Sequence, residues 1–246
     1  EDVKAVVLRV NSPGGSAYGS EQIWYAVTEL KKEKPVIVSM GDYAASGGYY
    51  ISCNADSIVA DPTTLTGSIG IFGMFPNVKG LTDKIGLSFD AVKTNTYADF
   101  GMMGRPLNDG EKALMQNMVN EGYELFVKRC AEGRGMTTDE IKKIAEGRVW
   151  TGAKAKELGL VDELGGLDKA LEMAIGKAGL EAYTVMSYPG KKSFFETLMD
   201  TNPGGYIQSR MLKGKVSEIY NQFNWLNNFE NYDKIQARVP FELNIN

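Results

Sequence analysis

One local pattern occurs twice near the start of the chain and limits the folds open to it: a short apolar run, a turn of glycine and small residues, then a helical segment. Residues 4–10 run into Asn11-Ser12-Pro13-Gly14-Gly15-Ser16 and then into a stretch where Ile23, Val27 and Leu30 recur at helical spacing until Pro35. Residues 36–40 form a second apolar, partly β-branched run, followed by Ala44-Ala45-Ser46-Gly47-Gly48 and a short helix expected to reach Cys53. Runs at 57–60, 70–72 and 89–94 read as further short strands. Parallel neighbours need a crossover between them, so strands alternating with helices predict βαβ units and an α/β fold with a parallel sheet.

Further along, helical patterns take over. A long helix is expected over 109–131, capped by Asn108 or Asp109, with Leu114, Met118, Tyr123, Phe126 and Val127 as its apolar stripe. A second starts near Thr137 after the break Gly133-Arg134-Gly135; Thr151 caps a third that ends at Gly159; a fourth spans 167–178. The α/β body is expected to occupy 1–189. Residues 190–246 form a distinct extension in which Phe194, Phe195, Tyr206, Tyr220, Phe223, Trp225, Phe229, Tyr232 and Phe241 are spread among Asn and charged residues. That extension reads equally as a helical addition to its own domain and as an oligomerisation arm.

Composition removes several classes of function. The 246 residues carry 27 Lys+Arg against 31 Asp+Glu, a formal charge of −4, which argues against nucleic-acid binding. Apolar residues make up 43%, enough for a real core, yet no apolar run approaches the roughly 18 residues of a membrane span. The first residues lack the features of a targeting peptide, and the chain enters a strand almost at once, so further sequence is expected upstream. With no histidine present, Ser-His-Asp and Cys-His relays and His-bearing metal sites are excluded, leaving Lys, Asp, Glu or Tyr as general base. Cys53 and Cys130 show neither metal-binding nor disulfide-framework spacing and read as small buried hydrophobes. No cofactor is expected.

The chemistry concentrates at the two turns. Both follow strands of a parallel sheet, the edge where ligands bind, and consecutive glycines there let backbone N–H groups approach a substrate. Ser46, flanked by Ala44, Ala45, Gly47 and Gly48, has nothing bulky beside its hydroxyl. At a helix N-terminus it reads either as a nucleophile favoured by the positive end of the helix dipole or as an ordinary N-cap. Together the turns could aim the N–H of Gly15, or of Gly14, and that of Gly47 at one oxygen. Such an oxyanion donor is worth about 3 kcal/mol of barrier.

Four ordered motifs, Asn11-Ser12-Pro13-Gly14-Gly15-Ser16, Ala44-Ala45-Ser46-Gly47-Gly48-Tyr49-Tyr50, Thr66-Gly67-Ser68-Ile69-Gly70 and Thr151-Gly152 with Leu158-Gly159-Leu160-Val161-Asp162, resemble the signal peptide peptidase A (protease IV) family over residues 3–180. The resemblance implies a fold of Clp protease/crotonase type, built of repeated ββα units with a C-terminal extension. It also implies a serine endopeptidase with a Ser-Lys dyad that degrades cleaved signal peptides and other hydrophobic peptides at the membrane. Ser46 matches the family nucleophile, Gly15 and Gly47 the oxyanion donors, and Ser68 the serine that positions the lysine. The lysine's own position, past a stretch resembling Ser88-Phe89-Asp90-Ala91-Val92-Lys93, is occupied by Ala98.

A methyl group cannot accept a proton. Long members of the family pair two tandem units, with lysine in the first and serine in the second, and this chain resembles the second. The base is therefore expected from an N-terminal unit outside the chain. It must be neutral near pH 7 although free lysine titrates at about 10.4, which requires a dry apolar setting. Lys93 is the best local substitute and reads more simply as a solvated residue. Tyr49, Tyr50, Ile71 and Phe72 are candidate substrate-pocket residues because they lie near the reacting groups in sequence. The resemblance further implies a homo-oligomer, a tetramer of two-unit chains, in the bacterial cell envelope, anchored by an upstream segment with its catalytic part outside the cytoplasm. The alternatives are an acyl-CoA-handling enzyme of crotonase type and a non-catalytic assembly unit.

Overall fold

The computed structural model describes residues 2–190 and 235–238. They fall in two units by contact: one comprises 1–180 with 233–246, the other 181–232. Most of the extension, including its expected aromatic oligomerisation arm, lies outside the described residues.

The first unit is mixed α/β, as the alternation predicted. Its central strand is β3 (Val36–Ala45), longer than the run 36–40. It pairs in parallel with β1 (Val6–Ser12), β4 (Ser57–Ala60) and β5 (Leu65–Gly67). Outer positions belong to β7 (Val149–Thr151), antiparallel to β5, and β8 (Glu163–Leu164), parallel to β4. A separate three-stranded sheet joins β2 (Gly14–Ser16), β9 (Ile235–Arg238) and β6 (Phe72–Gly73).

β3 is apolar without alternation because both faces of the sheet are covered. On one face Val38 and Met40 join Ile58, Tyr49, Phe126 and Leu160; on the other, Ile37 and Val59 meet Ala170 and Ala174 of α7 (Leu167–Ala178). Val36, Ile37 and Val38 are fully buried, each stabilising the fold by about 1.5–3 kcal/mol relative to exposure. The helices α1 (Ala17–Lys31), α4 (Asp109–Arg134), α5 (Thr138–Ile144) and α6 (Gly152–Glu157) match sequence expectation in place, and short helices form at α2 (Gly47–Tyr50) and α3 (Lys79–Lys84). Asn108 and Thr137 both close capping boxes, and Thr151 accepts from the Lys154 N–H.

Several expectations fail in detail. Residues 89–94 form no strand: the Asp90 side chain accepts the Ala91 N–H, turning the backbone locally, and Val92 is fully exposed. The strand expected at 70–72 begins at Phe72 because Ser68 takes a positive φ and its N–H donates to the Arg148 carbonyl at 2.7 Å. In α1 the buried positions are Ser20, Trp24 and Val27, while Ile23 faces out. In α4 Leu114 and Met118 are exposed, and Met115, Phe126, Val127, Cys130 and Ala131 form the inner stripe.

Candidate active site

The end of β3 and the start of α2 present Ser46 in an unusual backbone state. Its φ is 53° and ψ is −114°, a region that side chains with a Cβ rarely occupy and that costs roughly 1–3 kcal/mol. The surroundings hold it there: its N–H donates to the Gly67 carbonyl at 2.8 Å, and its carbonyl accepts the Tyr50 N–H at 2.8 Å, opening α2. Its side chain caps nothing. Oγ points instead toward the Gly70 carbonyl, 3.4 Å away. A sharp strand-to-helix turn with a strained serine is the arrangement of a nucleophile elbow, and it disfavours the ordinary N-cap role.

α2 is short and is fixed by its tyrosines. The Tyr49 hydroxyl donates to the Leu160 carbonyl at 3.0 Å, and the Tyr50 hydroxyl donates to Glu21 at 2.7 Å. Glu21 also pairs with Arg129 at 2.6 Å, and the Tyr50 ring stacks on Phe126 with centroids 4.3 Å apart. Burial drives both phenol pKa values upward, with the Glu21 carboxylate adding to the effect at Tyr50. Tyr49 and Tyr50, expected in a substrate pocket, are therefore core residues that anchor the helix behind Ser46.

Glycine is required around the serine by contact. A Cβ on Gly47 would lie 2.6 Å from Ser20 Oγ and 2.8 Å from the Ala237 carbonyl oxygen; one on Gly48 would lie 2.5 Å from the Ser12 carbonyl oxygen. Gly47 opens α2, so its N–H has no acceptor within the helix. Gly14 and Gly15 lie in β2, which packs against α2, so the two glycine turns do meet. The Gly14 N–H donates to Ser12 Oγ at 3.2 Å, and Gly15 is paired with Ala237 of β9.

Ser68 follows β5 on the other side of Ser46, with a φ of 50° and 2% exposure. It borders a cavity of about 520 Å³ whose walls include Gly70, Ile71, Phe72, Val119 and Tyr123. Ile71 and Phe72 thus line this cavity, and Tyr49 and Tyr50 are not among its lining residues. Ala98 is exposed. Lys93 is committed elsewhere: its ammonium lies 2.8 Å from Asp99, which also accepts from Arg105 at 2.7 Å. Sequence reasoning missed Gly70 as the Ser46 acceptor and β9 beside Gly47. The motif 66–70 carried a signal for Gly70, whereas nothing local marked β9. Among the described residues no cluster of His, Cys, Asp and Glu could hold a metal, and no helix is long and apolar enough to cross a membrane.

Ser46, Gly47 and Ser68 fall within the region matched by a family model, whereas Gly14, Gly15 and β9 lie outside it. Residues 28–181 match the model described as "Peptidase family S49". The chain belongs to peptidase family S49. That family is one of serine peptidases, as the name "Serine protease SPPA, chloroplastic" of an Arabidopsis thaliana relative, 41% identical over 72% of this chain and 26% of that protein, records. "Protease 4" of Salmonella typhi is 44% identical over 203 residues, covering 82% of this chain and 33% of that protein. "Protease 4" of Haemophilus influenzae is 47% identical over 176 residues, covering 70% and 28%. "Putative signal peptide peptidase SppA" of Enterococcus faecium is 37% identical over 194 residues, covering 78% and 56%. The chain thus spans about a third or less of the first two S49 relatives. A solved structure of a ClpP1 point mutant from Listeria monocytogenes aligns with 18% identity and a TM-score of 0.45, covering 69% of this chain and 78% of that one.

Proposed function

We propose that this S49 chain is the nucleophile-bearing part of a serine endopeptidase that cleaves hydrophobic peptides, signal-peptide remnants among them, beside a membrane. Ser46 attacks the scissile carbonyl, and the N–H groups of Gly47 and Gly15 stabilise the resulting oxyanion. The Ser46 proton passes to a lysine that is not part of this chain and is positioned by Ser68. The single observation carrying this reading is the strained backbone of Ser46, whose hydroxyl is turned away from capping and toward Gly70.

The base is expected from outside, because Ala98 offers no proton acceptor and the Lys93 side chain is engaged with Asp99 at 2.8 Å. The cavity beside Ser68 supports such an entry. Ile71, Phe72 and Val119 supply apolar walls, which favour a neutral amine, while Gln116, Asn120 and Glu146 line the same cavity and would hydrogen-bond an amine entering it. The relatives are longer than this chain, leaving room for a companion unit that bears the lysine. Assembly into a ring of two-unit chains and an anchor upstream belong to the same proposal.

A serine-directed phosphonate tests it on a protein containing both units. Labelling at Ser46, together with loss of peptide cleavage in Ser46→Ala, is expected. Full cleavage by that variant would remove the assignment. The isolated chain is expected to be nearly inert, and robust turnover by it would transfer the base to a local group.

A further inference from the structure

Ser46 has no solvent exposure, although a nucleophile must meet a substrate. The small sheet lies beside this turn. β9 lies between β2 and β6 and runs antiparallel to both: Gly15 faces Ala237, Ser16 and Phe72 both face Gln236, and Gly73 faces Ile235. β2 holds the candidate oxyanion glycines, and β6 follows the Ser68-Gly70 segment, so these strands are the two rims of the site. Among the described residues β9 is the only strand that either rim pairs with.

The inserted strand also reaches the catalytic turn. Ala237 is fully buried and Gln236 nearly so. The Ala237 carbonyl oxygen would be 2.8 Å from a Cβ on Gly47, the residue after Ser46. Two short strand edges with one carbonyl delivered beside the helix N-terminus form the geometry in which an extended peptide is bound. Backbone pairing supplies the affinity, and small side chains fit where the groove is narrow. Here the peptide is the chain's own.

We infer that residues 235–238 are an autoinhibitory strand seated in the peptide groove, which a substrate must displace; the inference rests on the peptidase reading above. Tethering places such a strand at an effective concentration on the order of millimolar. A strand of modest intrinsic affinity would then raise the apparent KM on the order of tenfold while leaving kcat unchanged.

The test uses the full chain with Ala237→Trp, too large for a fully buried position against Gly47, and with Ala237→Pro, which removes an N–H without comparable bulk. Hydrogen exchange is measured at Gly14–Ser16 and Phe72–Gly73, with Ile37–Ser39 of β3 as the control for folding. A fluorescent peptide of residues 233–240 is titrated onto each protein. Faster exchange at both rims with β3 still protected, and peptide binding to the variants but not to the parent chain, are expected. Unchanged rim exchange, or peptide binding that is equal or absent in all three proteins, overturns the inference. With the companion unit present, a roughly tenfold fall in KM is expected, and an active enzyme with unchanged KM also overturns it. If that protein cleaves nothing while the exchange and peptide results hold, the peptidase reading falls and the seated strand stands.

Discussion

Replacing Ser46 by glycine and, separately, by alanine separates backbone strain from side-chain chemistry. Both substitutions delete the hydroxyl and its long 3.4 Å contact with the Gly70 carbonyl, so that loss cancels between them. Alanine keeps the Cβ that makes a φ of 53° and ψ of −114° unfavourable, whereas glycine removes it. Relief of roughly 1–3 kcal/mol is set against the 0.5–1 kcal/mol entropic disadvantage that glycine ordinarily suffers. The glycine variant should therefore be the more stable by about 0–2.5 kcal/mol, centred near 1. In a chain of this length each kcal/mol moves Tm by about 2–4 °C, so scanning calorimetry should place the glycine variant about 2–4 °C higher. At an unstrained site the order is reversed. A glycine variant melting below the alanine variant would refute the claim that the fold holds Ser46 under strain, and with it the structural basis for the nucleophile.

Other expectations rest on separate contacts. Gly48→Ala pushes a Cβ to 2.5 Å from the Ser12 carbonyl oxygen and should cost about 1–3 kcal/mol through overpacking, read as a lower Tm. Glu111 is held down to about 2 by hydrogen bonds from the Arg105 guanidinium and, to a lesser degree, from the Asn108 N–H, with burial opposing them. Because the folded-state value lies below the unfolded value near 4.3, the pairing contributes fully above that pH and is lost as pH falls from about 4.3 toward 2. Carboxyl-carbon NMR titration should show a midpoint near 2, and a midpoint near 4 would refute the pairing. Lys93→Met should leave cleavage by a two-unit protein within about twofold, since the only role seen for Lys93 is its partly exposed ion pair with Asp99. A loss of a hundredfold or more would make Lys93 the base.

Local chemistry makes much of this molecule legible in its amino-acid order. Asn108, Thr137 and Thr151 mark helix starts because a capping side chain acts on N–H groups two or three residues away. The glycines at 14, 15, 47 and 48 mark turns where the chain approaches itself closely, and Ser46 stands out because everything beside it is small. The 89–94 segment misleads for the opposite reason: apolar residues make a strand only when a neighbouring strand is present to pair with them, and among the described residues none pairs with this segment.

The amino-acid order thus determined the alternating α/β plan, the absence of any histidine-based relay, the serine at the end of β3, and the lack of a lysine at position 98. Tertiary structure alone decided that Tyr49 and Tyr50 are anchors rather than pocket walls, that Ser46 is strained and covered, and that residues 235–238 return to lie between β2 and β6. The division follows from range. Caps, turns and periodicity act over a few residues, whereas the Ser46 turn is held by Gly67 and Gly70, more than twenty positions away, and the approach of Ala237 to Gly47 spans nearly two hundred.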